Sequence, residues 1–307
     1  MRSIRLAVVG LGKIARDQHL PALAGNDAFE LVAGVDPAAT VTDAPSFPTL
    51  EALLASGIPF DAVSMCQPPQ FRAEAALAML RAGKHVLLEK PPAATLSEVE
   101  ALKAAAAKAG VSLFAAWHSR YAPVVEPARE WLAMQTVTGV EIEWKEDVRR
   151  WHPGQQWIWQ AGGLGVFDPG INALSIATAI LPEPLRLLRA TLTVPANRAA
   201  PIAADLAMAA GDAPVQAVFD WRQEGPQTWD IRVTTEGGTL RLGDGGARFE
   251  RDGGSLTIGP EAEYPALYRR FAELVTSGQS DVDESPLRLV ADAFLRGELQ
   301  PTEAFLD

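Results

Sequence analysis

The glycine-spaced loop Gly10-Leu11-Gly12-Lys13-Ile14-Ala15 constrains this chain more than any other stretch. It follows the short apolar run Ile4-Arg5-Leu6-Ala7-Val8-Val9, which reads as a buried strand, and it opens Lys13 to Leu23, which reads as a helix. In a strand–loop–helix turn of this spacing, Gly10 permits the tight turn and Gly12 lets the backbone approach a pyrophosphate. Ala15 lets the helix pack close to the sheet. Free N–H groups and the helix dipole then favour phosphate charge. The plain alternative is a Gly-rich turn with no ligand. Against it stands Asp36, which ends the apolar run Leu31-Val32-Ala33-Gly34-Val35 and lies 21 residues after Ala15. A carboxylate there can bond both ribose hydroxyls of an adenosine.

The alternation of strand and helix patterns continues beyond Asp36. Leu50 to Ala55 reads as a helix, Asp61 to Cys66 as a strand, Phe71 to Ala82 as a helix and Lys84 to Leu88 as a strand. Ser97 with Glu100 reads as a capping box for a helix that Gly110 stops, and Val111 to Ala116 follows as a strand. Repeated β-α units of this length predict a parallel, doubly wound sheet whose ligands bind beyond the strands' carboxyl ends. Gln67, Glu89, Lys90, Trp117 and His118 fall at such ends and are expected to line one crevice.

The character changes near residue 121. Seven of the eight tryptophans lie beyond it, and strands dominate. Val137 to Val148 alternates, with Val140, Ile142 and Trp144 on one face and Glu141, Glu143 and Lys145 on the other. Leu185 to Val194, Val215 to Trp221, Trp229 to Thr235 and Thr239 to Leu242 read as further strands. Helices are expected over Gly165 to Ile180, Tyr264 to Thr276 and Pro286 to Arg296. The boundaries implied are residues 1–121 for a dinucleotide-binding domain and 122–307 for an α+β domain on the substrate side.

A net charge of −11 argues against nucleic acid or an anionic membrane as partner. Cys66 is the only cysteine, which rules out an internal disulfide and a cysteine-based metal cluster, and the four histidines are scattered. No metal is expected, and a reducing cytoplasm is the natural compartment.

Two more stretches carry chemistry. Glu89-Lys90-Pro91 places a lysine after a buried strand, in a proline-restricted turn. Its ammonium can hold an oxygen that gains negative charge, or shuttle a proton; the plain alternative is a surface Lys-Pro turn. In Phe167-Asp168-Pro169-Gly170-Ile171-Asn172, Asp168 and Asn172 are four apart at a helix start and share a face. Capping by Asp168 ahead of Pro169 is the competing explanation, but it does not account for a polar Asn172 among apolar neighbours.

Together the glycine loop, Glu89-Lys90-Pro91 and Asp168-Pro169-Gly170-Ile171-Asn172 resemble the Gfo/Idh/MocA family, named for glucose–fructose oxidoreductase and inositol dehydrogenase. The blocks from Ile14 to Pro21 and from Trp144 to Gly154 further resemble the family's sugar 1-dehydrogenase branch, acting on L-arabinose and D-galactose. The resemblance implies an α/β protein: an N-terminal Rossmann sheet plus a C-terminal α+β domain with a large, mainly antiparallel open sheet. It implies oxidation of an aldopyranose at C1 to a lactone, with NAD, or NADP as the second candidate, taking the hydride. Cofactor contacts are expected from Gly10, Gly12, Lys13, Ile14, Asp36, Gln67, Pro68, Glu89 and Lys90. Lys90, Asp168 and Asn172 would be catalytic, and the base is Asp168 or Lys90, since asparagine accepts no proton. Glu146, Trp151, His152, His118 and Trp229 are the expected sugar contacts; Arg120 is either a sixth or a brace at the domain junction. An uncovered sheet face suggests a homo-oligomer, dimer or tetramer, through the C-terminal sheet. Other readings compatible with these residues are oxidation of an inositol ring hydroxyl, and a dinucleotide-binding regulator without catalysis.

Overall fold

The computed structural model describes residues 2–257 and 262–306. Its first sheet holds six parallel strands: β1 Ile4–Val9, β2 Phe29–Val35, β3 Ser46–Phe47, β4 Ala62–Met65, β5 His85–Glu89 and β6 Leu113–Ala116. Their spatial order is β3-β2-β1-β4-β5-β6, so the winding reverses between β1 and β4. That reversal is where an open α/β sheet leaves a crevice at its strand ends. Leu6, Ala7 and Val8 of β1 and Ala62, Val63 and Met65 of β4 are 0% exposed, as expected for strands covered on both faces.

Two local expectations are corrected. The first helix is not uniform: Ala15–His19 is π-helical and continues into Leu20–Ala24. Pro21, the second residue of Leu20–Ala24, has no N–H to give the preceding turn. The capping box on Leu96–Ala109 is Thr95 with Glu98, not Ser97 with Glu100. Thr95 Oγ1 accepts the Glu98 N–H at 3.2 Å, and Glu98 Oε2 accepts the Thr95 N–H at 3.1 Å. Both pairs have the right spacing, but the extended backbone of Thr95 starts the helix two residues earlier.

The chain forms two compact units, Met1–His118 with Tyr264–Glu284, and Ser119–Glu263 with Ser285–Asp307. The first takes back most of helix Glu263–Ser277, which fills its aromatic core: Phe271 stacks on Phe29 and Phe114, and Tyr268 meets Phe29 edge-on.

The second unit holds β7 Val137–Lys145, β8 Leu185–Pro195, β9 Ala203–Ala210, β10 Ala213–Asp220, β11 Thr228–Thr235, β12 Gly238–Gly243, β13 Arg248–Arg251, β14 Gly254–Thr257 and β15 Glu298–Thr302. These make one nine-stranded sheet, β14-β13-β12-β11-β7-β10-β9-β8-β15. It is antiparallel except for β7 with β10 and β8 with β15. The alternation expected of β7 holds, with Val140, Ile142 and Trp144 buried. On that face the helix Phe167–Ile180 lies so close that a Cβ on Gly170 would come within 2.8 Å of the Phe219 ring. The opposite face is polar, with Arg241 paired to Asp230 at 2.7 Å and to Glu250 at 2.9 Å. No helix among the described residues is long and apolar enough to cross a membrane.

Candidate functional site

In the first unit, the glycine loop and the end of β4 meet at the winding reversal. Gly10 has φ +86°, and a Cβ there would lie 2.8 Å from the Gln67 nitrogen, so both the turn and the approach require glycine. Gly12 is the reverse case, because a Cβ there would meet nothing within 4 Å. Asp36 closes the loop from the end of β2. Its Oδ2 accepts the Leu11 N–H at 2.8 Å, and its Oδ1 accepts the amides of Ala38 at 2.8 Å and Ala39 at 2.9 Å. Burial works against the Asp36 charge, but these amides outweigh it, Arg16 adds to them, and the carboxyl is held below its usual range. Open space over Gly12 and a fixed anionic carboxylate fit the pyrophosphate and ribose of a dinucleotide. Pro68 turns the chain into helix Pro69–Arg81 beside Gln67. Lys13 is exposed and paired with Asp17, and Ile14 is half-buried.

Lys90 follows β5, half-buried, while the Glu89 side chain turns inward. Glu89 Oε1 accepts from Tyr264 Oη at 2.7 Å and faces His19 Nε2 at 3.1 Å; Oε2 accepts the Lys90 N–H at 2.8 Å. His19 Nδ1 lies 2.7 Å from Tyr268 Oη, which is 2.9 Å from Ser64 Oγ. Burial opposes charge on both Glu89 and His19. The His19 contact nevertheless brings the Glu89 carboxyl down to about 2, with help from His118 and Tyr264. Cys66, Tyr268 and Glu89 raise His19 well above 6.5. Trp117, expected at the crevice, is 3% exposed and donates its indole N–H to the Asp283 carbonyl at 2.9 Å. His118 stacks on Tyr264 with ring centroids 5.3 Å apart.

This pair makes stability depend on pH in a stated direction. A raised His19 contributes fully below its unfolded value of 6.5 and loses that contribution as pH rises through the folded value. A depressed Glu89 contributes above 4.5 and loses it as pH falls toward about 2. Thermal unfolding of the wild type minus that of His19→Gln should therefore be largest between those limits, about 3–5 kcal/mol for breaking a buried pair, and shrink on both sides. A difference that stays flat across pH would refute the charged pair.

In the second unit, β7 ends at Lys145 and hands the chain to Glu146 and to Asp147, which caps the short helix Val148–Trp151. Glu146 is 3% exposed and accepts indole N–H groups from Trp221 at 3.2 Å and Trp229 at 2.9 Å. His152 Nε2 stands between two carboxylates, 3.7 Å from Glu146 Oε1 and 3.6 Å from Asp168 Oδ2. Trp151 tilts against Trp229 at 5.2 Å. Asp168 is not the helix cap, because Phe167–Ile180 begins one residue before it with Val166 at the N-cap. The carboxylate is 4% exposed in the first turn, where the dipole favours its charge, and half-buried Asn172 lies one turn on. Arg120 grips the same helix through the Ser175 carbonyl at 2.9 Å and Thr178 Oγ1 at 3.0 Å. Glu146, Trp151, His152, Trp229, Asp168 and Asn172 thus belong to one unit, and Gly10, Gly12, Asp36, Gln67, Glu89, Lys90 and His118 to the other.

The sequence reading missed several members. Arg72 is 2% exposed and donates to the carbonyls of Gln67, Glu89 and Pro91. Its place on the apolar face of its helix, with Ala73, Ala76 and Leu80, was the available signal. Trp221 and Trp159, their rings 5.2 Å apart, back the Glu146–His152 cluster. Tyr264 and Tyr268 are too far along the chain for any local pattern to link them to Glu89.

Residues 4–116 match the GFO_IDH_MocA model, described as an oxidoreductase family with an NAD-binding Rossmann fold. A galactose 1-dehydrogenase of Pseudomonas fluorescens is 48% identical, with 100% of both chains covered. The crystal structure of a D-galactose-1-dehydrogenase from Rhizobium etli is 58% identical, with a TM-score of 0.96 over 100% of this chain and 99% of that one. A 3-ketoreductase of Actinomadura kijaniata, solved with NADP and TDP-benzene, shares the fold at 21% identity, with a TM-score of 0.83 over 98% of this chain and 100% of that one. With a relative this similar over its whole length and the glycine loop inside the matched family region, the chain belongs to the Gfo/Idh/MocA oxidoreductase family.

Proposed function

We propose that the chain is an NAD(P)-dependent aldose 1-dehydrogenase that oxidises the pyranose forms of D-galactose and L-arabinose at C1 to their lactones. The observation that carries this reading is the end-to-end similarity to galactose 1-dehydrogenases, at 48% and 58% identity. Asp168 takes the proton of the anomeric hydroxyl, Asn172 orients that hydroxyl, and Lys90 stabilises the oxygen as negative charge develops. His152, Trp151 and Trp229 hold the sugar, with the imidazole on hydroxyls and indole faces over C–H groups; Glu146 fixes the indoles and the imidazole. His118 is a further donor to the sugar. Gly10, Gly12, Ile14, Gln67 and Pro68 cradle the dinucleotide, with Lys13 at the loop's outer edge. When bound, its nicotinamide supplies the hydride acceptor. The reading extends to a homo-oligomer formed on the polar face of the nine-stranded sheet and to a cytoplasmic enzyme.

β-L-Arabinopyranose and α-D-galactopyranose present the same ring hydroxyls and differ by an exocyclic CH2OH. D-Glucose inverts the hydroxyl at C4 and leaves a buried partner unpaired, at a cost of about 1–3 kcal/mol. Competing assays at equal low sugar concentrations, following NADH, should show galactose and arabinose oxidised and glucose poorly. Glucose matching the other two would sink the assignment.

The cofactor preference follows from Asp36. Its anionic carboxylate sits where a 2′-phosphate would add like charge, which costs about 1–3 kcal/mol, and Arg16 offsets part of this. NAD+ should exceed NADP+ in kcat/KM by about tenfold, a factor worth 1.4 kcal/mol. A preference for NADP+ would mean that Arg16 outweighs Asp36.

A further inference from the structure

The residues around Lys90 are held by two buried groups of opposite charge that the reaction itself does not use. The Glu89 carboxylate, 3% exposed, accepts the Lys90 N–H at 2.8 Å. The Arg72 guanidinium, 2% exposed, donates to the carbonyls on either side of Lys90, those of Glu89 and Pro91, and to that of Gln67 at the end of β4. The main chain at Lys90 is thus gripped through its donor by an anion and through the flanking acceptors by a cation.

Glu89 accepts this N–H most strongly as the ionised carboxylate, and an uncompensated buried carboxylate is costly. Its compensation is His19, 0% exposed and 3.1 Å away, with Tyr264 Oη donating to the same oxygen at 2.7 Å. His19 is fixed from its other nitrogen by Tyr268, which Ser64 fixes in turn. The other titratable groups acting on this cluster are Cys66, from the end of β4, and His118, stacked on Tyr264. Glu89, His19, Arg72, Tyr264 and Tyr268 are given no contact with the sugar, and their hydrogen bonds lead to the backbone that carries the ammonium.

We propose that Glu89, with His19 behind it, and Arg72 are positioning residues that clamp the Lys90 peptide and thereby place its ammonium for the reaction; the proposal rests on the role given to Lys90 above. The clamp makes the lysine's main chain rigid while its side chain stays half-buried. Fixing a reacting group in this way matters because a displacement of about 1 Å can cost about 10²-fold in rate.

The test uses the full chain and two readouts. Hydrogen exchange at the Lys90 amide reads the clamp directly: Glu89→Gln and His19→Gln should exchange about tenfold faster or more at this amide. An unchanged rate in both variants overturns the proposal. Kinetics read the consequence: Glu89→Gln should lower kcat with galactose by about 10²-fold while KM for the sugar changes little. In a Lys90→Ala background the same substitution should have no further effect on kcat, because a clamp acts only through the residue it holds. Losses that multiply across the two sites overturn the positioning role. Should Glu89→Gln not fold, Tyr264→Phe removes one donor to Glu89 and keeps the His19 pair. It should show the same pattern at smaller amplitude, and effects equal in both backgrounds would count against the clamp. If Lys90→Ala alone keeps full turnover, the role given to Lys90 fails and the positioning role falls with it; exchange at the Lys90 amide still decides whether the peptide is clamped.

Discussion

Asp168→Ala is expected to lower kcat by about two to four orders of magnitude, the usual loss when a positioned proton acceptor is removed. Dinucleotide affinity should be unchanged, because the glycine loop and Asp36 lie in the other unit. The fold should survive: the aspartate is not the helix cap, and losing a first-turn charge costs about 0.3–1 kcal/mol. Asp168→Asn sharpens the result, since it keeps the shape and removes only the proton acceptor. Asn172→Ala should cost less than either, because in the proposed mechanism that amide orients the hydroxyl and moves no proton. Steady-state rates with galactose, beside fluorescence titration with NAD+, check all three. Near-normal turnover in Asp168→Ala would return the base role to Lys90.

The second large effect is expected in the glycine loop, where two neighbouring glycines should respond differently. Gly10→Ala forces a left-handed backbone on a residue with a Cβ, which costs about 1–2 kcal/mol. It also drives that Cβ to 2.8 Å from the backbone nitrogen of Gln67, so the ends of β1 and β4 must part. Melting should fall, by about 2–4 °C for each kcal/mol lost, and NAD+ binding should fall with it. Gly12→Ala meets nothing within 4 Å. Its melting should stay put while the new methyl occupies the space intended for pyrophosphate and weakens NAD+ binding by about tenfold or more. Differential scanning fluorimetry with and without NAD+ separates the two. Equal melting losses would mean the loop is merely a tight turn.

What could be read from the sequence divides along physical lines. The glycine loop, the buried strands and the alternation of β7 were legible because each is written in a local period or a single strict backbone requirement. The helix beginning at Phe167 was legible for the same reason, with Asp168 and Asn172 on one face of it, and the competing reading of Asp168 as its cap gives way to a place inside the first turn. Strand β9, Ala-Ala-Asp-Leu-Ala-Met-Ala-Ala, escaped because alanine is depleted in strands and gives a faint alternation; neighbouring strands β8 and β10 hold it in the sheet. The capping box was misplaced by two residues because Thr95/Glu98 and Ser97/Glu100 share one spacing, and only the extended backbone at Thr95 separates them. The partners of Glu89 were illegible for a different reason. His19 and Tyr268 touch across 249 positions of sequence, and no window along the chain contains both.

The return of Tyr264–Glu284 to the first unit has a consequence for how the protein is made. A ribosome that has released the first 121 residues has produced every strand of the six-stranded sheet but not Tyr264, Tyr268 or Phe271. Until those arrive, Glu89 lacks one of its donors, His19 lacks its phenol, and Phe29 and Phe114 lack the ring they stack on. The dinucleotide-binding unit is begun before the second unit but completed only after residues 119–263 of that unit have been made, with residues 285–307 of the second unit following. The nascent chain must hold its half-built sheet through the synthesis of most of the second unit, and an excised N-terminal fragment would inherit the same missing wall.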